Sequence, residues 1–411
     1  MSADLRPITA VRSKILSVLP SLESETVGLG DLAGRVLTRP VVAPEDVPGW
    51  DNSGMDGFAV RAGDVAAEGA VLTVLGDIPA GGVASGPVGP GEAYKIMTGA
   101  PMPEGADTVV RVEDTTESDG KVTVHKAYER GTYVRTRGGD VKAGDEVIPA
   151  GVRLGPAHVG VMASLGITGA VVSRRPRVAV LSTGDELRPA ATPELEPGAI
   201  RDSNRPMLVA LVETAGGIVV DMGWIPDDPD RLRAVIGRAV AEADVIISSG
   251  GVSMGDYDVV KAVLGGELGV EFLSLAMNPG KPLGFGLVGG RPFFGLPGNP
   301  VSVLVSFEQF ARPALLAMQG ATRILRPRVH GRAGARFTSD PAKEAFLRAR
   351  ITDHATLEVV PTGGQGSNML SGVAAADCFV VLPVGVDVVE PGDSVILELF
   401  GAPENRSADD E

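Results

Sequence analysis

Apolar residues near the start of the chain have the spacing of an amphipathic helix. This first helix is predicted to end by Pro20 and to bury Ile8, Val11, Ile15 and Val18. Residues 41–137 then show short β-prone runs broken by glycine, proline and aspartate, which predicts a mostly β segment. A second helical pattern covers residues 156–165. We expect the two helices to pack together, so that the β segment is an insertion in a discontinuous first domain.

From residue 177 onwards, short apolar strands alternate with amphipathic helices, a pattern typical of a parallel, doubly wound sheet. The predicted strands cover residues 178–181, 218–220, 244–247 and 293–296. The predicted helices cover residues 207–214, 232–243 and 301–318, and the last of them should bend at Pro313 and end at Gly320. After residue 326 the pattern returns to short strands, which predicts a small β-barrel.

These patterns predict a multidomain α/β plus β fold. A small helical N-terminal domain is assigned to residues 1–44 and 140–174, and the inserted mostly-β domain to residues 45–139. The α/β domain is assigned to residues 175–322, the C-terminal β-barrel to residues 323–402, and a disordered tail to residues 403–411.

The composition of the chain argues against several classes of protein. A net charge of −15 argues against a nucleic-acid-binding protein, because phosphate backbones are held by basic surfaces. A single cysteine, Cys378, excludes an internal disulfide, and four scattered histidines make an imidazole-rich metal site improbable. With no signal sequence and no apolar run of membrane-spanning length, we expect a cytoplasmic protein without a membrane partner.

Three glycine-rich segments follow predicted strands, where ligands bind in doubly wound sheets. Their candidate binding residues are Ser182, Thr183, Gly184; Ser249, Gly250, Gly251, Ser253; and Pro297, Gly298, Asn299, Pro300. Glycines let a ligand approach the backbone, and free N–H groups and hydroxyls bind anionic oxygens. Each segment alone could be a turn that serves only the fold, but three at one edge favour a phosphate-bearing ligand.

Further candidates stand outside these turns. Lys281, between two prolines and a glycine, could meet an oxyanion, although a solvated turn lysine is the simpler interpretation. In the β segment, residues 51–59 and 97–101 are rich in turn formers and hydrogen-bonding side chains. Arg135, Arg137 and Asp140 share one loop, where they could hold an anion and a cation or form a solvated charge cluster.

Taken together, these segments resemble the MoeA family of molybdopterin molybdenumtransferases, to which the E domain of gephyrin is related. The resemblance covers nearly the whole chain. The matching segments appear in the family's order at residues 51–59, 97–103, 182–187, 227–229, 248–255, 279–282 and 295–302.

The resemblance implies a homodimer whose active cleft lies between the α/β domain of one subunit and the β domain of the other. The substrates would be molybdate and adenylated molybdopterin, which a MogA-like adenylyltransferase partner could supply, and Mg²⁺-dependent cleavage would release AMP. Carried over by motif, Asp56, Asp140, Glu186 and Lys281 would be catalytic, and Glu186 and Asp258 would bind Mg²⁺. Thr98, Arg135, Asp227 and Ser367 would join the three glycine-rich turns in binding substrate.

Many members carry a basic residue where this chain has Asn278, whose amide can still donate hydrogen bonds to an oxyanion. Two alternatives remain at this point. A MogA-like adenylyltransferase would share the α/β domain, but the long N-terminal portion and the last β domain argue against it. A gephyrin-like scaffold would bind a partner peptide and would release no AMP.

Overall fold

The computed structural model describes residues 5–251 and 262–400. Its three larger sheets have six strands each, and we name them the insert sheet, the central sheet and the barrel sheet. Shorter paired segments are Ser24–Gly28 with Gly169–Ser173, Val41–Val42 with Glu146–Ile148, Asn52–Ser53 with Val134–Arg135, Leu187–Arg188 with Ile200–Arg201, and Phe337–Thr338 with Val388–Val389. Single helical turns lie at Leu29–Asp31, Ala62–Asp64, Val112–Asp114, Ala262–Glu267 and Ser371–Ala374.

The insert sheet confirms that the segment after residue 45 is mostly β. Its strands lie in the order Thr108–Arg111, Gly57–Val60, Glu92–Ile96, Val71–Ile78, Lys121–Val124 and Thr115–Ser118. Every pairing is antiparallel except the one between Val71–Ile78 and Glu92–Ile96. Phe58 and Ala59 alternate between two apolar clusters, so both faces of the sheet are covered.

The segments on either side of the insert share one small core, which contains Leu37, Ile148, Met162 and Val172. Met162 belongs to the helix Pro156–Ser164. The sequence analysis predicted that the N-terminal helix Ile8–Leu16 would pack against this core, but it does not. Its buried side chains join the core of the α/β region, where they contact the helical stretch Pro300–Met318. That long apolar surface offers a larger area to bury than the short helix Pro156–Ser164 does.

The central sheet has the predicted doubly wound architecture. Its strands lie in the order Ile218–Ile225, Arg177–Thr183, Val245–Ser249, Arg291–Leu296, Pro282–Val288 and Glu271–Ser274. The first four are parallel, with the helix Asn204–Thr214 on one face and the helix Pro229–Glu242 on the other. Pro282–Val288 pairs antiparallel with both Arg291–Leu296 and Glu271–Ser274, and the last two strands form an edge that the sequence pattern did not predict.

The helical stretch Pro300–Met318 is irregular where a bend was expected. A wide π-helical turn, Phe307–Ala311, separates the α-helical segments Pro300–Ser306 and Arg312–Met318. Pro313 has no N–H to donate to the Gln309 carbonyl four residues earlier, and this carbonyl accepts a hydrogen bond from Arg12 Nη1 at 3.5 Å. By length and mean hydropathy the stretch could cross a membrane, but 89% of it is buried inside the fold. It is therefore a core element.

The predicted C-terminal barrel is present and closed. Five strands form its ring in the order Arg328–Ala333, Ser394–Leu399, Cys378–Leu382, Glu344–Asp353 and Glu358–Pro361, and the last pairs with the first. Ala345 and Leu347 point into the barrel, whereas Phe346 between them packs outward against the core of the α/β region. A sixth, two-residue strand, Met277–Asn278, comes from the α/β region and pairs with the start of Glu344–Asp353. The predicted fold class is thus confirmed.

Replacing Gly57 by alanine should destabilise the insert sheet, because the new Cβ would lie 1.9 Å from the Val110 carbonyl oxygen. We expect a cost of about 1–3 kcal/mol, visible as a lower melting temperature in scanning calorimetry. Gly63→Ala is the matched control, since a Cβ there meets open space. Equal melting temperatures for the two variants would contradict this account of the packing.

Candidate active site

The three glycine-rich turns lie side by side at one edge of the central sheet. Ser182–Gly184, Ser249–Gly251 and Pro297–Pro300 each occupy the carboxyl end of a parallel strand, and these three strands are neighbours. Asp227 follows the next strand, Ile218–Ile225, at the same edge. The parallel pairing therefore brings together residues that are far apart in sequence. Val252 to Lys261, including the candidates Ser253 and Asp258, lie outside the described residues.

Asn204, which the sequence analysis did not single out, joins two of the turns. Its Nδ2 donates hydrogen bonds to Ser249 Oγ at 2.8 Å and to the Gly298 carbonyl oxygen at 2.6 Å. Asn204 Oδ1 and Thr183 Oγ1 are buried without a hydrogen-bond partner among the described residues. Buried polar atoms in proteins are normally hydrogen-bonded, so these two favour a polar ligand at this edge.

The backbone of these turns favours glycine at three positions, Gly184, Gly250 and Gly251, and Gly251 has a φ of +70°. Gly184 has a φ of +143°, and a Cβ there would lie 2.5 Å from the Glu186 carboxylate. Gly250 has a φ of +97°, and its Cβ would lie 2.5 Å from the Thr183 carbonyl oxygen. Ser182 is different from its neighbours, because its hydroxyl already donates to Asp202 Oδ2 at 2.6 Å. Its side chain thus has a structural partner.

A cavity of about 340 Å³ opens beside the third turn, between the α/β region and the barrel. Lys281 lines it and forms no ion pair with any described residue. The candidates Pro297, Gly298, Asn299 and Ser367 also line this cavity. The cavity is also lined by residues to which the sequence analysis assigned no role: Met277, Asn278, Pro279, Gly280, Pro282, Ser302 and Lys343. The cavity holds one part of the predicted site.

Ser367 reaches the cavity because a buried arginine holds its loop. Arg348 Nη2 donates to the carbonyl oxygens of Gly364 and Gly366, at 2.6 and 3.2 Å. The Ser367 carbonyl oxygen in turn accepts from the Val301 amide at 3.0 Å, which ties the barrel to the start of the helical stretch Pro300–Met318. Burial lowers the pKa of Arg348, whose Nε and Nη1 have no partner among the described residues. The sequence offered one signal for this residue, an arginine within an apolar strand.

In the insert, Asp56 and Thr98 form one unit. Asp56 Oδ1 accepts hydrogen bonds from the Thr98 hydroxyl and the Thr98 amide, both at 2.7 Å. These two bonds lower the pKa of the Asp56 carboxyl, which is therefore ionised at neutral pH. Asp56 is exposed, and neither residue lines the Lys281 cavity described above.

The charged loop of the insert also stays apart from that cavity. Arg135 lies in the short strand Val134–Arg135, and Asp140 is exposed with its amide donating to the Val47 carbonyl oxygen. The Arg137 guanidinium is bound to Asp46 at 2.6 Å, so it is less available to a ligand. Within one chain, none of these insert candidates lines the Lys281 cavity.

A carboxylate of the first turn contacts the backbone that follows the neighbouring strand. The Asp227 amide donates to Asp185 Oδ1 at 3.0 Å, and Glu186 is exposed on the same turn. Among residues 5–251 and 262–400, no group of three or more His, Cys, Asp or Glu side chains is close enough to hold a metal ion. Any cation here would depend on one or two carboxylates and on substrate oxygens, as Mg²⁺ sites often do.

Fold and site together define a multidomain protein whose α/β region gathers three glycine-rich turns at the carboxyl ends of neighbouring parallel strands. Family models match along the chain: "MoeA N-terminal region (domain I and II)" at residues 6–166, "Probable molybdopterin binding domain" at 179–317 and "MoeA C-terminal region (domain IV)" at 330–400. The chain belongs to the MoeA family.

Relatives of full length support this assignment. A Mycobacterium tuberculosis protein named molybdopterin molybdenumtransferase 2 is 40% identical over 96% of this chain and 99% of its own. A Nostoc protein named molybdopterin molybdenumtransferase is 37% identical over 95% of this chain and 94% of its own. The crystal structure of a molybdopterin biosynthesis MoeA protein from Pyrococcus horikoshii matches with a TM-score of 0.84 and 28% identity, over 97% of this chain and all of that one. The expected class, a transferase of molybdenum-cofactor biosynthesis, is confirmed.

Replacing Thr98 by valine should raise the pKa of the Asp56 carboxyl, because it removes the hydroxyl that stabilises the ionised form. Any stability that depends on this carboxylate is present above its unfolded-state pKa and is lost as the pH falls through the lower folded-state pKa. In the variant the contribution should be smaller, and its loss should be complete at a higher pH. Carbon NMR titration of labelled aspartate measures the pKa. Thr98→Ser keeps the hydroxyl and is the control, and an unchanged pKa in Thr98→Val would refute the assignment.

Proposed function

We propose that this chain transfers molybdenum from molybdate to adenylated molybdopterin and releases AMP in a Mg²⁺-dependent reaction. The observation that carries the proposal is the Lys281 cavity, which opens beside the third of three neighbouring glycine-rich strand ends. The turns offer backbone N–H groups and hydroxyls to a phosphate-bearing ligand, and the cavity offers a positive charge to an oxyanion. One edge of the central sheet could thus hold both reactants.

Lys281 is the residue we assign to molybdate. It is half-buried, it lines the cavity, and no described carboxylate neutralises it. In such a partly dehydrated place a lysine attracts an anion more strongly than it does in bulk water. The Asn278 and Asn299 side chains line the same cavity and can donate further hydrogen bonds.

Mg²⁺ would lie at the first turn, held by Glu186 with Asp227 and Asp185 nearby. Carboxylate oxygens are the ligands that Mg²⁺ prefers, and the absence of a Cβ at Gly184 lets the Glu186 carboxylate lie against the turn. When bound, Mg²⁺ would neutralise charge on the phosphate oxygens of the adenylate. Asp258, the other predicted ligand, remains a prediction outside the described residues.

Asp56 is better suited to accepting hydrogen bonds or facing a cation than to donating a proton, because its lowered pKa keeps it ionised. Asp56 does not line the Lys281 cavity of its own chain, which supports the expectation that the partner subunit of a homodimer completes each site. Asp140 and Arg135 are also exposed, and they would then contribute to the site of the partner subunit as well. A MogA-like adenylyltransferase would supply the adenylated substrate.

Purified protein supplied with adenylated molybdopterin, Mg²⁺ and molybdate should release AMP and yield molybdenum cofactor. Chromatography of the nucleotide products measures the released AMP, and reconstitution of a cofactor-free molybdenum enzyme measures the molybdenum cofactor. ATP consumption on free molybdopterin without AMP release from the adenylate would instead assign the adenylating step, and peptide binding without turnover would assign a scaffold.

Glu186→Gln and Lys281→Gln test the residue roles in the same assay. Both should reduce turnover by about 100-fold or more, because each removes a charge that acts on the reacting anions. Their melting temperatures should stay close to that of the wild type, since both positions are exposed or half-buried. Full activity in either variant would refute its assigned role.

Mixing two inactive variants tests whether subunits share a site. If Asp56 of one subunit serves the Lys281 cavity of the other, a dimer of Asp56→Asn and Lys281→Gln chains contains one intact site. An equal mixture, after the subunits exchange, should recover about one quarter of wild-type AMP release by random pairing. No recovery, with mixed dimers demonstrated by differential tagging, would place all these residues in one subunit or refute their roles.

A further inference from the structure

A second cavity lies at the opposite edge of the central sheet from the three glycine-rich turns. Its volume is about 480 Å³, a size typical of small-molecule sites. Two of its lining residues, Arg177 and Ile218, are the first residues of neighbouring parallel strands and are in register with each other. The strand Arg177–Thr183 has 7 residues and spans about 20 Å, so this cavity is separate from the turns at the other end.

Residues 25–35 and 174–177 form the two sides of this cavity, which we call the arginine cleft. Four arginines line it against two carboxylates, Glu25 and Asp31. On a chain whose net charge is −15, four arginines at one cavity are an unusual local concentration of positive charge. The four are Arg35, Arg174, Arg175 and Arg177.

Two of the four arginines are neutralised within the protein. Arg174 binds both carboxylate oxygens of the buried Asp244, at 2.6 and 2.9 Å. Its Nε donates to Glu23 Oε2 at 2.9 Å, so all three nitrogens of this guanidinium are used. Arg35 forms an ion pair with Glu25. Neither of these two arginines therefore carries a free charge into the cleft.

Arg175 and Arg177 are the other two, and both are exposed. Arg175 forms no hydrogen bond or ion pair through its side chain with any residue that the structure describes. Arg177 Nε donates to the Glu242 carbonyl oxygen at 2.8 Å, which leaves both terminal nitrogens for a ligand. Asp31 is the remaining lining carboxylate and has no ion pair within residues 5–251 and 262–400. The cleft thus keeps an excess of one positive charge.

One donor inside the cleft lacks an acceptor. The Arg35 side chain is only 7% exposed, and its Nη2 donates to the Ser173 carbonyl oxygen at 2.8 Å. Its Nε is buried and has no hydrogen-bond partner in the described part of the chain. Because buried polar groups are normally hydrogen-bonded, this N–H favours an acceptor that the chain itself does not supply.

We propose that the arginine cleft is a second ligand site and that its ligand is an organic phosphate, a phosphate monoester with an apolar body. Arg175 and Arg177 bind the phosphate through the paired N–H groups that a guanidinium presents to phosphate oxygens. Arg35 Nε donates to a ligand oxygen from inside the cleft. The inference does not rest on the proposed reaction, because no residue of the three turns or of the Lys281 cavity lines the cleft.

The lining of the cleft favours an organic phosphate over a bare ion. Val27 and Ile218 lie in the same lining as the arginines, and Ile218 is 44% exposed. An inorganic ion would leave these two side chains in water, whereas an apolar body would bury them and gain free energy from the area covered. A phosphate monoester also carries about −1.5 to −2 charges at pH 7, more than a single carboxylate does.

Phenyl phosphate is a suitable probe, because it joins one phosphate to an apolar ring. Hydrogen–deuterium exchange of the full chain should show slower amide exchange in residues 24–35 as the probe is titrated. Slower exchange only in residues 297–302, beside the Lys281 cavity, would place the probe at the other site and overturn the inference. Inorganic phosphate alone should protect residues 24–35 much less, and equal protection would contradict the apolar part of the ligand.

A double variant, Arg175→Gln with Arg177→Gln, tests the residues. It should raise the Kd for phenyl phosphate, measured from the protection of residues 24–35, by about 10- to 100-fold, the effect of losing charge-assisted hydrogen bonds. Both positions are exposed, so the melting temperature should stay close to that of the wild type. Arg39→Gln is the matched control, since this exposed arginine lies outside the cleft lining. An unchanged Kd in the double variant would refute the site.

Two further measurements separate the cleft from other roles of these arginines. The double variant should keep wild-type AMP release, and a loss of turnover would contradict a separate site. Its mass in solution should also equal that of the wild type, because a smaller mass would assign the arginines to contact with a second copy of the chain. Wild-type protein that binds the probe at residues 24–35 but never releases AMP would support the cleft and contradict only the proposed reaction.

Discussion

The Lys281 cavity depends on one apolar core that three parts of the chain share. The helical stretch Pro300–Met318 is buried in it, with the N-terminal helix Ile8–Leu16 on one side and Phe346 and Phe379 of the barrel on another. Each buried phenylalanine contributes roughly 1.5–3 kcal/mol, so the barrel is held firmly against the α/β region. Because that contact is fixed, barrel residues can line one side of a cavity whose other side is formed by the α/β region.

Polar contacts then set the position of the barrel along this core. Arg326 binds both carboxylate oxygens of the buried Glu308, and Gln309 Nε2 of the helical stretch donates to Oε1 of the buried barrel residue Glu398. Glu308 lies in the π-helical turn before Pro313. A buried carboxylate is costly unless it is paired, so these contacts strongly disfavour other arrangements of the two regions. The irregular turn is therefore part of how the cavity is assembled.

Charge divides the candidate residues into two groups. The cavity gathers lysines, whereas the first turn and the insert present carboxylates, Glu186 and Asp56 among them. An oxyanion and a cation-bound phosphate need these opposite environments. The acidic surface of the chain leaves the cavity as a local positive region, and this contrast favours small anions without creating a surface for nucleic acid.

The sequence by itself determined the fold class and the three strand-end turns. Apolar periodicity and glycine placement are local properties, and parallel strands necessarily bring their carboxyl ends to one edge. It did not predict the antiparallel edge strands, the packing partner of the N-terminal helix, Asn204, Arg348 or Lys343. These depend on contacts between residues far apart in sequence, where a side chain's surroundings follow from packing rather than from its neighbours in the chain. Only the tertiary structure decided that a lysine of the barrel would line the same cavity as Lys281.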